Sequence, residues 1–277
     1  MPLTETETDN LATRILNASD ARTSIAPITD ERTEFDLQDA YRVSARILAR
    51  RMARGEQPVG WKIGFTNRTI WDEYGIHAPI WGPMYASTVT ETEQPDIPIT
   101  CGLGRFVEPR IEPEIVFRLA APPRPDMDER DLLACIEAVA HGFEIVQSLY
   151  PGWRFRAADT IAAFGLHGCL CHGPFIPIAS EPDSSHWTAM LSSFSIRLSR
   201  DGVFVDEGSA ANVLGSPLSA LRHFVRGLAE HPFGGGLRSG DLVTTGTITR
   251  AFPVRAGERW ATAVTGLPVP GLSIAFT

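Results

Sequence analysis

Three glutamates of this chain stand in stretches otherwise made of core-forming residues, so a fold that places them there must also supply something to neutralise them. Glu112 and Glu114 lie in Arg110-Ile-Glu-Pro-Glu-Ile-Val-Phe117, and Glu144 lies in Gly142-Phe-Glu-Ile-Val-Gln-Ser148. In a strand, side chains two apart point the same way, so Glu112 and Glu114 share one face. Like charges that close repel, and both stay ionised only when water or a cation offsets them. Pro113 cannot donate to a ladder, which predicts a sheet edge or a bulge, and a solvated acidic edge strand is the plain alternative to a cation site. Glu144 tilts the balance, because an unpaired carboxylate in an apolar strand is costly to bury. Three oxygen ligands without nearby Cys or His pairs suit a hard divalent ion, Mg²⁺ or Mn²⁺, with positions left for water and substrate.

Lys62, inside Gly60-Trp-Lys-Ile-Gly64, is the second oddity. An ammonium in an apolar, aromatic strand either faces solvent as one position of an alternating pattern or points inward. Pointing inward, it needs a partner or a lowered pKa, and could bind a carboxylate or move protons. Asp159 is either a helix cap or a catalytic residue. Among the seven histidines, none of which has the spacing of a ligand pair, His167 in the small-residue run Gly165-Leu-His-Gly168 is the catalytic candidate. No nucleophile elbow, phosphate-binding loop or dinucleotide fingerprint is present.

Helical periodicity marks Leu11–Leu16 and Leu37–Met52. From Pro58 onward strands dominate: Pro58–Thr66, Ile111–Leu119, Gly142–Leu149, Gly168–Ile178, Phe194–Ser199, Val203–Val205, Leu242–Thr249, Trp260–Val264 and Leu272–Phe276. Asp201-Gly202 between two of them predicts a type I′ hairpin. Two helices interrupt the strands. One is expected over Asp128–Ala140, from Leu132, Leu133, Ile136 and Val139, and one begins at the Ser216-Pro217 cap. The expected organisation is a helical segment over residues 1–57 joined to one mixed, strand-rich domain over residues 58–277.

The 33 acidic against 25 basic residues leave a net charge of −8, which argues against a polyanion binder; the densest basic stretch, Arg46–Arg54, also reads as one helix. Nucleic acid is therefore excluded as a partner. No apolar run approaches the roughly 20 residues of a membrane span, and the polar, acidic start lacks the features of a secretory signal. Cys101, Cys135, Cys169 and Cys171 match neither a zinc site nor a disulfide framework, so reduced, buried thiols in a cytoplasmic protein are expected.

Taken in order, several separated segments resemble the fumarylacetoacetate hydrolase superfamily, in its branch of 2-oxopent-4-enoate hydratases and 4-oxalocrotonate decarboxylases. They are Gly60-Trp-Lys-Ile-Gly-Phe-Thr66, Gly75 to Gly82, Glu112-Pro-Glu114, Phe143-Glu-Ile-Val-Gln-Ser148 with Trp153, and Leu237 to Thr247 with its Thr-Gly-Thr. The resemblance implies an α+β fold, with a mixed β-roll or sandwich core of that superfamily's C-terminal type behind a helical N-terminal segment. It also implies a homo-oligomer, with a sister hydratase or decarboxylase subunit as a further partner. Its metal-binding acids correspond to Glu112, Glu114 and Glu144, with Mg²⁺ or Mn²⁺ expected, and its active-site lysine to Lys62. Ile80, Thr245 and Thr247 fall at substrate-binding positions. The implied activity is a lyase that hydrates a short 2-hydroxy-dienoate acid, with decarboxylation, C–C bond hydrolysis of an acylpyruvate and a catalytically inactive partner subunit as alternatives. Two departures stand out, and the first of them, at Ile80, favours the decarboxylase relatives. Pro79-Ile-Trp-Gly82 stands where typical hydratases have Pro-Asp-Phe-Gly, so Ile80 replaces an aspartate. Ala162-Ala-Phe-Gly-Leu166 stands in place of Ala-Asp-Asn-Ala-Ser, with His167 as the candidate to take over a lost polar group.

Overall fold

The computed structural model describes residues 2–178, 184–231 and 235–277. Its helices are α1 (Glu5–Ala21), α2 (Ile28–Glu31), α3 (Leu37–Ala53), α4 (Trp71–Tyr74), α5 (Glu129–Leu133), α6 (Ala157–Ala162), α7 (Ser184–Ser193) and α8 (Pro217–Glu230). A capping box starts α1, with Glu7 N–H donating to Thr4 Oγ1 and Thr4 N–H donating to Glu7. Acids of α1 meet the basic stretch of α3: Arg50 pairs with Asp9 at 3.0 Å and Arg54 with Asp20 at 2.8 Å. That stretch therefore serves helix pairing. The Ser216 hydroxyl caps α8 by accepting from Leu218 N–H, and Pro217 fills the first turn, where no donor is needed.

The strands are β1 (Pro58–Gly64), β2 (Ile80–Tyr85), β3 (Val89–Glu91), β4 (Ile99–Cys101), β5 (Arg110–Leu119), β6 (Ile136–Val146), β7 (His167–His172), β8 (Ile176–Pro177), β9 (Ser195–Arg200), β10 (Val203–Ser209), β11 (Leu242–Thr247), β12 (Phe252–Pro253), β13 (Arg259–Thr265) and β14 (Ser273–Phe276). A nine-stranded mixed sheet runs β2-β1-β11-β5-β6-β7-β3, with β12 added to β5 and β8 to β6; a five-stranded sheet runs β10-β9-β13-β14-β4. Ile111, Phe143 and Ile145 of the first sheet pack on Leu198, Trp260 and Ile274 of the second, which gives the sandwich. A larger core joins α1, α3, α6 and α8 to the first sheet, with Ile15, Ile47, Ile161 and Leu221 in one cluster with Trp81 and Phe117. The helices of the first fifth therefore share a core with the sheet.

The hairpin forms as expected, with Asp201 at φ 51° and Gly202 at φ 79° between β9 and β10. The helix expected over Asp128–Ala140 does not. Only Glu129–Leu133 is helical, capped by Asp128, and β6 begins at Ile136. Ten paired positions on β5 override the helical spacing of Leu132, Leu133, Ile136 and Val139. Because β6 is buried on both faces from Ala138 onward, it lacks the period-two alternation that would have marked it as a strand. The stretch Gly168–Ile178 splits into β7 and β8.

Pro113 does not lie at an edge, since β5 is flanked by β11 and β6. The N and C=O of one strand residue face the same neighbour, and Pro113 O accepts from Ile248 N–H on the β11 side. There the β11 ladder shifts register between Thr244 and Thr247. The missing donor thus falls opposite a bulge in the partner strand, where it costs no ladder bond. No helix among the described residues is long and apolar enough to cross a membrane.

Candidate active site

Strand register alone brings the acids together. Glu112 pairs directly with Glu144 across β5 and β6, and Glu114 lies two residues along on the same face. Lys62 on β1 pairs with Thr244 on β11, which pairs with Val116 on β5, so Lys62 shares the face of the glutamates. Like charges directly opposite in a sheet are destabilising, so this face needs a counter-charge. One carboxylate oxygen from each of Glu112, Glu114 and Glu144 lies within 4.8 Å of the others.

Each acid has a different surround. Glu144 is fully buried; His167 Nδ1 lies 2.8 Å from its Oε1, and Lys62 Nζ 3.2 Å from its Oε2. Burial opposes its ionisation, but Lys62 and His167 outweigh burial and hold Glu144 below the usual carboxylate range. Glu114 is also fully buried. Its Oε2 accepts from Gly246 N–H at 2.8 Å, while its Oε1 makes no hydrogen bond. Burial, followed by the charges of Glu144 and Glu112, pushes Glu114 well above the carboxylate range. Burial also raises Glu112 to about 7, with Lys62 and Glu144 pulling in opposite directions. Burial works against the charge on Lys62, but the three carboxylates outweigh it, so Lys62 holds its proton more tightly than an ordinary lysine.

Three carboxylates against one ammonium leave two negative charges when all are ionised, which one divalent cation balances. The buried, unbonded Glu114 Oε1 is an oxygen that such an ion would satisfy, and an all-oxygen set suits Mg²⁺ or Mn²⁺. The residues fit the ion.

Lys62, Glu112, Ile80 and Thr247 line a cavity of about 470 Å³ that opens between the two sheets, with Asp206 of β10 on its far wall. Glu114, Glu144, His167 and Thr245 do not line this cavity. His167 is turned onto the acid face by a register shift in β7, and its Nε2 lies 2.9 Å from Thr88 Oγ1; it holds Glu144 and does not line the cavity. Burial lowers its pKa despite the neighbouring carboxylate, which keeps the imidazole neutral. Asp159 lies elsewhere. It accepts from Arg156 N–H, Thr29 N–H and Thr29 Oγ1, the last at 2.6 Å, so it caps α6 and ties α2 to it, the helix-cap alternative of the sequence. The Thr245 hydroxyl donates to Ile115 O, inside the sheet.

Two contributors escaped sequence reasoning. Gly246 has φ 94°, and a Cβ there would stand 1.9 Å from Thr66 Oγ1, so this close approach, which aims its N–H at Glu114, requires glycine. Arg110, two residues before Glu112, lines the outer part of the cavity. Its period-two spacing from Glu112 was the available signal. The four cysteines are free and buried.

Residues 77–269 match the family described as fumarylacetoacetate hydrolase C-terminal. The chain is 29% identical over 95% of each sequence to a 2-hydroxyhexa-2,4-dienoate hydratase of Comamonas testosteroni. It is 31% identical over 80% of each to a 4-oxalocrotonate decarboxylase of a Pseudomonas species. It superposes with a TM-score of 0.89 and 27% identity, over 99% of each chain, on the 4-oxalocrotonate decarboxylase of Pseudomonas putida G7 complexed with magnesium and adipate.

Proposed function

We propose, from the premise that this chain belongs to the fumarylacetoacetate hydrolase C-terminal family, that it is a metal-dependent lyase hydrating a short 2-hydroxy-dienoate acid. The observation that carries this reading is the convergence of Glu112, Glu114 and Glu144 on one face beside Lys62, with Glu112 and Lys62 lining an open cavity. These three acids would hold Mg²⁺ or Mn²⁺. A bound divalent ion supplies Lewis-acid stabilisation of the negative charge that develops on a 2-oxo acid as its double bonds rearrange.

The protein's own groups do the rest. Lys62, kept charged by the carboxylates, orients the substrate's anionic end and delivers a proton from Nζ. His167 fixes the Glu144 carboxylate from behind, as an outer hydrogen-bond partner fixes a ligand. Ile80 and Leu166 present apolar surface to the chain of the substrate. Residues 58–277 form the catalytic unit on this reading, and the helices of residues 1–57 support it. We read the working form as a cytoplasmic homo-oligomer, whose mass light scattering measures.

Decarboxylation of an oxalocrotonate-like acid is the second reading, favoured by the apolar Ile80 and Leu166 and by the TM-score of 0.89 to a decarboxylase. The same electron sink serves both outcomes. The test is to incubate protein and Mg²⁺ or Mn²⁺ with a panel of 2-hydroxy-dienoates and oxalocrotonate-like diacids. A fall in ultraviolet absorbance with a mass gain of one water supports hydration, and release of carbon dioxide supports decarboxylation. Absence of both, or full activity in a chelator, refutes the proposal.

A further inference from the structure

Three of the four cysteines converge on the side of the first sheet opposite the acids. Cys169 and Cys171 stand two apart on β7, where they pair with Ile145 and Phe143 of β6, so both point into the core between the two sheets. Leu170 between them pairs with Glu144 and faces the other way. Cys101 enters the same core from the second sheet, on β4, the last strand of that sheet. A turn over Leu103–Arg105 then closes on β7, so tightly that a Cβ on Gly168 would lie 3.0 Å from the Phe106 ring.

The three thiols lie within hydrogen-bond reach of one another, and Arg105 reaches back to Cys169. Hydrogen bonds from Cys169 and Cys171, with the charge of Arg105 in support, bring Cys101 down to about 4 against the effect of burial. Hydrogen bonding to Cys101 and Cys171, then burial, push Cys169 well above the usual thiol range, so it keeps its proton. A thiolate beside a protonated thiol is the division of labour between a nucleophilic cysteine and its resolving partner. Access follows the same order, since Cys101 is 4% exposed and adjoins the exposed Gly102, whereas Cys169 is fully buried. Cys135 sits apart, with its Sγ 3.7 Å from Met127 Sδ.

We propose that Cys101 and Cys169 are a peroxide-reactive pair that closes to a disulfide between β4 and β7 and so joins the two sheets. The Cys101 sulfur attacks one oxygen of hydrogen peroxide, the O–O bond breaks, and the departing hydroxide takes a proton from solvent, leaving Cys101 as a sulfenic acid. The Cys169 sulfur then attacks the Cys101 sulfur, the S–O bond breaks, and the Cys169 proton leaves with the oxygen as water. The two cysteines lose two electrons, and the peroxide is reduced to two waters. The acids on the other face of the sheet take no part, so the pair stands independently of the lyase reading.

The test treats the full chain, reduced and then freed of reductant, with a few equivalents of hydrogen peroxide and maps an unreduced tryptic digest by tandem mass spectrometry. The expected product is a Cys101–Cys169 cross-link, two hydrogens lighter than the separate peptides and reversed by dithiothreitol. Cys101→Ser gives no cross-link, and Cys135→Ser behaves as the wild type. The double variant Cys169→Ser, Cys171→Ser leaves Cys101 as a sulfenic acid that dimedone labels. Melting of the reduced variants near the wild-type temperature shows that the fold persists, and the wild-type map decides the pairing even where a variant fails to fold. Cysteines that stay reduced in the peroxide-treated wild type, a bond formed instead between Cys169 and Cys171 or between Cys101 and Cys171, or dimedone labelling at a cysteine other than Cys101 overturns the proposal.

Discussion

Replacing Glu114 by glutamine separates the two roles of that side chain, because its effect on the fold and its effect on the cation site have opposite signs. Glutamine keeps a carbonyl oxygen for Gly246 N–H, which now lies 2.8 Å from Glu114 Oε2. It puts an amide donor where the unbonded Glu114 Oε1 stands, in a carboxylate that has one oxygen within 4.8 Å of an oxygen of each of Glu112 and Glu144. In the metal-free fold Glu114 either remains a buried anion without a partner or takes up a proton that the unfolded carboxyl lacks at neutral pH, and either costs about 1–3 kcal/mol or more, so the metal-free variant should gain stability on that scale. For a chain of this length each kcal/mol moves the melting temperature by about 2 °C, so the rise is roughly 2–6 °C. In Mg²⁺ at 100 times the dissociation constant, the wild type gains about 2.7 kcal/mol, which the variant lacks because one ligand is gone. Thermal melting at fixed pH, in chelator and across a Mg²⁺ series, reads both effects. The expected curves cross, with the variant above the wild type in chelator and the wild type rising alone with metal. A variant that melts below the wild type in chelator, or that responds to Mg²⁺ as strongly as the wild type, refutes the reasoning.

Other substitutions probe the groups around the acids. Lys62→Met should lower kcat by about a hundredfold or more if Lys62 moves a proton, in a steady-state assay on whichever dienoate is turned over. His167→Gln should weaken Mn²⁺ binding by about 10- to 100-fold while kcat at saturating metal recovers, the pattern of a positioning residue. Gly246→Ala collides with Thr66 Oγ1 at a positive φ, so it should lose both melting temperature and most of the Mg²⁺ response. His141 is fully buried between Glu114 O and Thr262 Oγ1, and burial lowers its pKa to about 4. Because its folded pKa lies below the unfolded value near 6.5, the unfolded chain binds the extra proton first. His141 should therefore contribute about 3 kcal/mol that is fully present above pH 6.5 and lost as pH falls to 4. Denaturant unfolding across that window should show the loss in the wild type and a flatter profile in His141→Asn.

The site was legible because its signal is local. Glu112 and Glu114 are two apart in an apolar strand, and Glu144 and Lys62 are charged residues among core-forming neighbours, so each announces a burial problem on its own. What each does once buried depends on register. Nothing in the spacing of Gly165-Leu-His-Gly168 shows that a shift in β7 turns His167 toward the back of Glu144. Asp159 is equally ambiguous as a sequence position, and three hydrogen bonds to α2 and to its own helix start decide its place. The elements behaved similarly. Caps and turns such as Ser216-Pro217 and Asp201-Gly202 act through nearest neighbours and could be read directly. The first half of strand β6 was hidden because burial on both faces removes the alternation, and of the edge or bulge expected at Pro113 the structure gives the bulge, but in the partner strand β11.

The central claim is that Glu112, Glu114 and Glu144 together bind one divalent cation. Mn²⁺ titration followed by electron paramagnetic resonance tests it most directly, on the wild type and on Glu112→Gln, Glu114→Gln and Glu144→Gln. One tightly bound Mn²⁺ per wild-type chain, weakened at least tenfold by each of the three substitutions, is the predicted result. Undiminished Mn²⁺ binding in these variants, or none in the wild type, would contradict it.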